Sequence, residues 1–154
     1  MKKFIIFIMC AFFALPSMAQ IQIQMTDKTV HDNVTKFRAG TQKLTYTSSN
    51  DYSGYMIVLT TTNQFDDPFI IFIGENANIA IESLNGLFYL CNNLKKGEFV
   101  DFDDCLGQSI HVMYSKMFGA QYISLSKQGC AGSAYITKKE IEILIDAIKK
   151  HSKN

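Results

Sequence analysis

Apolar residues change their period several times along this chain. Phe4 to Leu15 is an almost unbroken apolar run. Ile21, Ile23 and Met25 then alternate with Gln22 and Gln24, the period of two that predicts a strand. Val30, Val34 and Phe37 fall at helical spacing among Thr and Asn, which reads as an irregular or briefly helical connection. Lys43–Ser48 and Tyr55–Thr62 are rich in Thr, Tyr, Val and Ile, and the turn formers Ser49 to Gly54 lie between them, so a hairpin is expected. Phe69 to Ile73 is continuously apolar and stops at Gly74, as in a strand buried on both faces or nearly so.

The period then lengthens. Ala77, Ala80, Ile81, Leu84, Leu87, Phe88, Cys91 and Leu94 recur at steps of three and four, which places them on one stripe of a helix. Asn76 can cap its start and Gly97 can end it. Three further strands are expected at Glu98–Asp103, Ser109–Lys116 and Gln121–Ser126, and a last extended piece at Ala134–Ile136. Thr137-Lys138-Lys139-Glu140 has the form of a capping box, with Ile136 and Ile141 placed as a hydrophobic staple. Ile141, Leu144, Ile145 and Ile148 make the buried stripe of that closing helix, and Lys149, Lys150 and His151 suit the negative end of its dipole.

Strands in runs, interrupted by two isolated helices, indicate an α+β fold. The expected architecture is a mainly antiparallel sheet of about 5–7 strands with the helices, about residues 77–94 and 138–150, on one face. No sequence repeat is visible. Both helices carry apolar residues off their main stripes: Ile79 and Leu90 flank Ser83 and Gly86 on the first, where the two small residues leave a shallow groove, and Ile143 and Ala147 lie on the second. Left in water, each large one would forgo roughly 1.5–3 kcal/mol of burial. Side-by-side helices whose second faces touch would bury them all.

Composition changes the picture mainly at the N-terminus. Met1-Lys2-Lys3, the apolar run and the small residues Ser17 and Ala19 around Met18 have the three parts of a secretory signal, with cleavage after Ala19. The run is too short for a membrane span, which needs about 20 apolar residues. The domain organisation expected is a signal peptide over 1–19 and a single α+β domain over 20–154, with no integral membrane span once the signal is removed. The style of the signal is bacterial, so the expected location is the periplasm, the cell surface or the medium. Without Lys2 and Lys3 the basic residues fall from 15 to 13 against 14 acidic ones, a net charge of −1. That balance provides no field to attract nucleic acid.

Export permits disulfides. Three cysteines lie beyond the signal, Cys91, Cys105 and Cys130. Cys91 falls on the helical stripe, so the expected bridge is Cys105–Cys130, joining two turns. Gly129-Cys130-Ala131-Gly132-Ser133 also sets a thiol among glycines whose amides could face an oxyanion. With His111 as base and Asp103 or Asp104 orienting it, that turn is the one candidate catalytic group, for a small hydrolase or thiol enzyme. His31, His111 and His151 have no ligand-spaced partner, and Asp101-Phe102-Asp103-Asp104 lacks the Gly and closing Glu of a calcium loop, so neither metal nor cofactor is expected. Tyr46, Tyr52 and Tyr55 surround the first hairpin and form a candidate partner surface. The absence of Trp weighs against a sugar platform. The primary expectation is a non-enzymatic binding or envelope-assembly protein whose partner is a protein or small ligand.

Overall fold

A computed structural model describes residues 30–38, 41–49, 52–62, 67–117, 120–127 and 132–153. The Ile21–Met25 strand expectation, the signal segment and Cys130 lie outside them.

The fold is α+β: the described residues form eight antiparallel strands in two four-stranded sheets and two helices. Strands β1 (Val30–Phe37), β2 (Gln42–Ser48), β3 (Ser53–Leu59) and β4 (Phe69–Gly74) follow one another in the first sheet. Helix α1 (Ala77–Asn93) comes next. Strands β5 (Phe99–Asp103), β6 (Ser109–Met117), β7 (Ala120–Lys127) and β8 (Ala134–Ile136) form the second sheet, again in chain order, and α2 (Lys138–His151) closes the chain. The chain thus runs a four-strand meander followed by a helix twice over, an order of elements repeated without any visible repeat of sequence.

Two expectations about the strands need correction. The strands form two sheets, not one sheet of about 5–7. Each meander uses short connections between neighbours, and α1 separates β4 from β5, so the ladder breaks there. The stretch from Val30 to Phe37 is strand β1, not a helical connection. Its pairing with β2 slips between Asn33 and Thr35, leaving Val34 as an extra residue. A bulge of this kind turns the two-residue step of a strand into a three-residue step from Val34 to Phe37, which mimics a helix.

The helices obey their local signals. Asn76 accepts the N–H groups of Asn78 and Ile79, each at 3.1 Å. At α2, Thr137 Oγ1 accepts the Glu140 N–H at 3.2 Å and the Glu140 carboxylate accepts the Thr137 N–H at 2.8 Å, completing the capping box. Leu44, Ile57, Leu59 and Ile71 from the first sheet, Ile110, Val112, Ile123 and Leu125 from the second, and Leu84, Ile141, Leu144 and Ile148 from the helices fill one continuous core. The two helices pack on each other, with Lys138 Nζ 4.7 Å from the centre of the Phe88 ring. Their second faces do not meet. Ile143 is 40% exposed beside Val34 and Thr35 of β1, and Ile79 is 41% exposed. Each helix is flanked by a sheet edge, so the second face of α1 turns to β4 and β5 and that of α2 turns to β1. Among the described residues no helix is long and apolar enough to cross a membrane.

Candidate functional site: an apolar cleft where the two sheets part

Gly74 brings the end of β4 against the start of α1. A Cβ there would lie 2.4 Å from the Ala80 nitrogen, so only glycine allows this approach. From that point α1 runs past β4 towards β5. Its second face presents Ser83, Gly86 and Leu90. A Cβ on Gly86 would meet nothing within 4 Å, so the helix surface is open there.

The opening is a cleft of ≈ 330 Å³. Ile71 and Ile73 of β4, Leu87 and Leu90 of α1, and Phe102 of β5 supply its apolar walls, and the half-turn Asp104–Cys105 closes one end. Tyr89 stands at its margin, 64% exposed. β4 and β5 are the terminal strands of their respective sheets, so the cleft lies where one sheet stops and the next begins.

The closed end is a hydrogen-bonded junction. Asp104 is buried, and its Oδ1 accepts the N–H groups of Leu106 at 3.0 Å and Gln108 at 2.9 Å. Its Oδ2 accepts the Phe72 N–H at 3.2 Å, and the Cys105 N–H donates to the Phe72 carbonyl at 3.1 Å. Asp104 is therefore committed to holding the turn on β4. Cys105 is exposed as a residue, but partial desolvation of its thiol, together with the carboxylates of Asp104 and Glu75, raises its pKa above the ordinary value. It stays protonated at neutral pH, the opposite of an activated nucleophile. Cys91 is half-buried, and desolvation pushes its pKa to about 11.

Of the catalytic candidates among the described residues, Asp103 borders this cleft and His111 lines a separate hollow with Asp101. His111 is on the face of the second sheet opposite to Ile110 and Val112. Its Nδ1 is 2.5 Å from Asp101 Oδ1, so Asp101, and not Asp103 or Asp104, orients the ring. The Phe99 ring lies 4.9 Å away from it. The cross-strand register that pairs Asp101 with His111 is a sheet property, invisible to residue spacing. The Cys130 half of the proposed dyad, and with it the Cys105–Cys130 bridge, falls outside the described residues. Among the described residues no three His, Cys, Asp or Glu side chains come together as metal ligands.

The three tyrosines are used in packing. Tyr55 is 3% exposed, and its hydroxyl is 2.8 Å from Nδ1 of His151. Tyr46 packs at 5.0 Å on the Tyr55 ring and at 5.5 Å on His151. Tyr52 meets Phe72 edge-on at 5.1 Å. His151 Nε2 also lies 3.5 Å from Asp32 Oδ2, so the end of α2 is clasped to β1 and β3. The cleft itself was only half legible from sequence. The small Ser83 and Gly86 marked a groove on α1, but the groove faces β4 and β5 and not α2. No family model, no curated protein and no solved structure matches the chain.

Proposed function

We propose that this chain is an exported, non-enzymatic binding or assembly domain, and that the cleft between α1, β4 and β5 takes an apolar group from its ligand or partner. The observation that carries this reading is the make-up of the cleft: five large apolar side chains around an open glycine, with its one buried carboxylate already spent on three backbone amides. Such a site offers mainly burial and shape: of the polar groups at its border, Asp104 is spent, the Cys105 thiol is held protonated, and Asp103 is an exposed carboxylate with no base or nucleophile placed beside it among the described lining residues. An apolar side chain the size of valine or leucine would gain roughly 1.5–3 kcal/mol on entering it. Export rests on the N-terminal pattern of charge, apolar core and small residues.

The test uses the open position on α1. The mature domain, beginning at Gln20, is titrated with the apolar dye 1-anilinonaphthalene-8-sulfonate. Saturable enhancement at one site is expected, with its loss in Gly86→Phe, whose ring would occupy the cleft. Equal dye binding by both folded proteins would contradict the reading.

A second reading keeps the thiol enzyme. The Asp101–His111 contact gives it an oriented imidazole on the strand beside β7, and Cys130 follows β7 by three residues. Hydrolysis of a chromogenic thioester that disappears in both Cys130→Ser and His111→Ala would establish it over the binding reading.

A further inference from the structure

The occupant of the cleft can be specified from the strand at its side. β5 pairs with β6 on one edge only. Among the described residues, no backbone group of Phe99–Asp103 bonds to main chain beyond β6. The strand is also unusually bare: Phe99, Val100, Asp101 and Asp103 are all exposed and Phe102 is half-buried. An edge strand of this kind presents a row of free N–H and C=O groups, a template for another strand. β4, by contrast, has its edge occupied at Phe72 by Asp104 and Cys105.

Resting on the apolar-cleft reading above, we propose that the partner is an extended peptide segment that adds to β5 as a further strand. Its main chain bonds to the free edge of β5, and every second side chain enters the cleft over Gly86, beside Leu87, Leu90 and Phe102. The cleft lies on the free side of β5, because it is walled by Phe102 on one flank and by Ile71 and Ile73 of β4 on the other. The remaining side chains of the added strand face outwards with Asp101, which alternates with Phe102 on β5, while Asp103 borders the cleft. Opposite charges across a strand pair are favourable. The recognised segment therefore alternates apolar with basic residues. The junction at Asp104 closes the far end, so the segment enters from the Phe99 end and pairs over about five residues, roughly 17 Å of strand.

The test probe is a ten-residue synthetic peptide alternating valine and lysine. It is compared with the same peptide N-methylated at every second amide and with a valine–glutamate version, each titrated into the domain from residue 20 onwards with the anilinonaphthalene dye as competitor. Saturable binding of the valine–lysine peptide with displacement of dye is expected, at least tenfold weaker in each of the other two peptides and in Gly86→Phe. Equal binding of the methylated and unmethylated peptides, or dye binding without any peptide binding, would overturn strand addition while leaving the apolar cleft intact. Failure of dye and peptide together would overturn both.

Discussion

The carboxylate of Asp104 holds the backbone of Phe72: Oδ2 accepts the Phe72 N–H at 3.2 Å while the adjacent Cys105 N–H donates back to the Phe72 carbonyl at 3.1 Å. The turn between β5 and β6 is thereby fixed to the edge of β4. Asp104→Ala removes the acceptor from three backbone amides, Phe72, Leu106 and Gln108. Each N–H left unpaired and buried costs on the order of 1–3 kcal/mol, with part recovered where water reaches the exposed turn. A loss of about 2–4 kcal/mol in urea unfolding is expected, together with weaker dye binding by the folded fraction as the closed end of the cleft loosens. A variant as stable as the parent would show that the junction does not join the sheets.

Arg38 and Glu140 make the corresponding tie on the opposite side. Arg38 follows β1 with φ at 47°, a left-handed conformation uncommon for a residue with a side chain. Its Nε donates to Glu140 Oε1 at 2.8 Å, and its Nη2 donates to Glu140 Oε2 and to the Tyr135 carbonyl, each at 2.7 Å. Burial alone would raise the pKa of Glu140, but the Arg38 hydrogen bonds and those from Thr137 outweigh it and hold the carboxyl below its ordinary 4.5. A carboxyl depressed in the folded state adds stability that is present above the unfolded value and is lost as pH falls through the folded one. Glu140→Gln should cost about 1–2 kcal/mol near neutral pH, a figure tempered by the partial exposure of Arg38. The gap between parent and variant should close as pH falls below about 4.5, followed by denaturant midpoints at several pH values. A gap that stays constant down to about pH 2 would contradict the ion pair.

Two glycines at the ends of the same contact should respond in opposite ways. Gly74→Ala would place a methyl group 2.4 Å from the Ala80 nitrogen and 2.9 Å from its α-carbon, so β4 and α1 must separate. A loss of about 1–3 kcal/mol is expected. Gly86→Ala meets open space inside a helix, and should gain about 0.5–1 kcal/mol from the lower entropy of the unfolded chain. Thermal melts of both variants check the pair, and a stabilising Gly74→Ala would refute the packing of β4 on α1.

Tyr52 carries a hydroxyl with no hydrogen-bond partner among the described residues. Desolvation, with smaller contributions from Cys105, Glu75, Asp104 and Tyr46, pushes its pKa to about 12. Tyr52→Phe removes the stranded group and keeps the ring contact with Phe72, so stability should be unchanged or should rise by up to about 1 kcal/mol. A loss of more than about 1 kcal/mol would mean that the hydroxyl has a partner.

The two helices were legible because their signals are local: Asn76 and the Thr137–Glu140 box act within four residues, and the buried stripes follow from the helical period. Strand β1 was not, because the extra residue at Val34 breaks the alternation that identifies a strand. The division into two sheets depends on which edges pair, and no single strand records that. The partner of His111 illustrates the same limit. Asp103 is nearer to His111 in sequence than Asp101 is, and only the β5–β6 register selects Asp101. Ser83 and Gly86 announced a groove on α1, but its opposite wall comes from Phe102 and Ile71, on two different strands.

Methyl NMR of the domain from residue 20 onwards, labelled at isoleucine and leucine and titrated with the anilinonaphthalene dye, tests the apolar cleft most directly. Ile71, Ile73, Leu87 and Leu90 line it, whereas Ile143 sits beside β1 on another surface and Ile123 belongs to the second sheet. The account predicts saturable shifts concentrated on the four cleft residues and absent at Ile143. Shifts centred on Ile143, or spread evenly over the methyl groups, would contradict it.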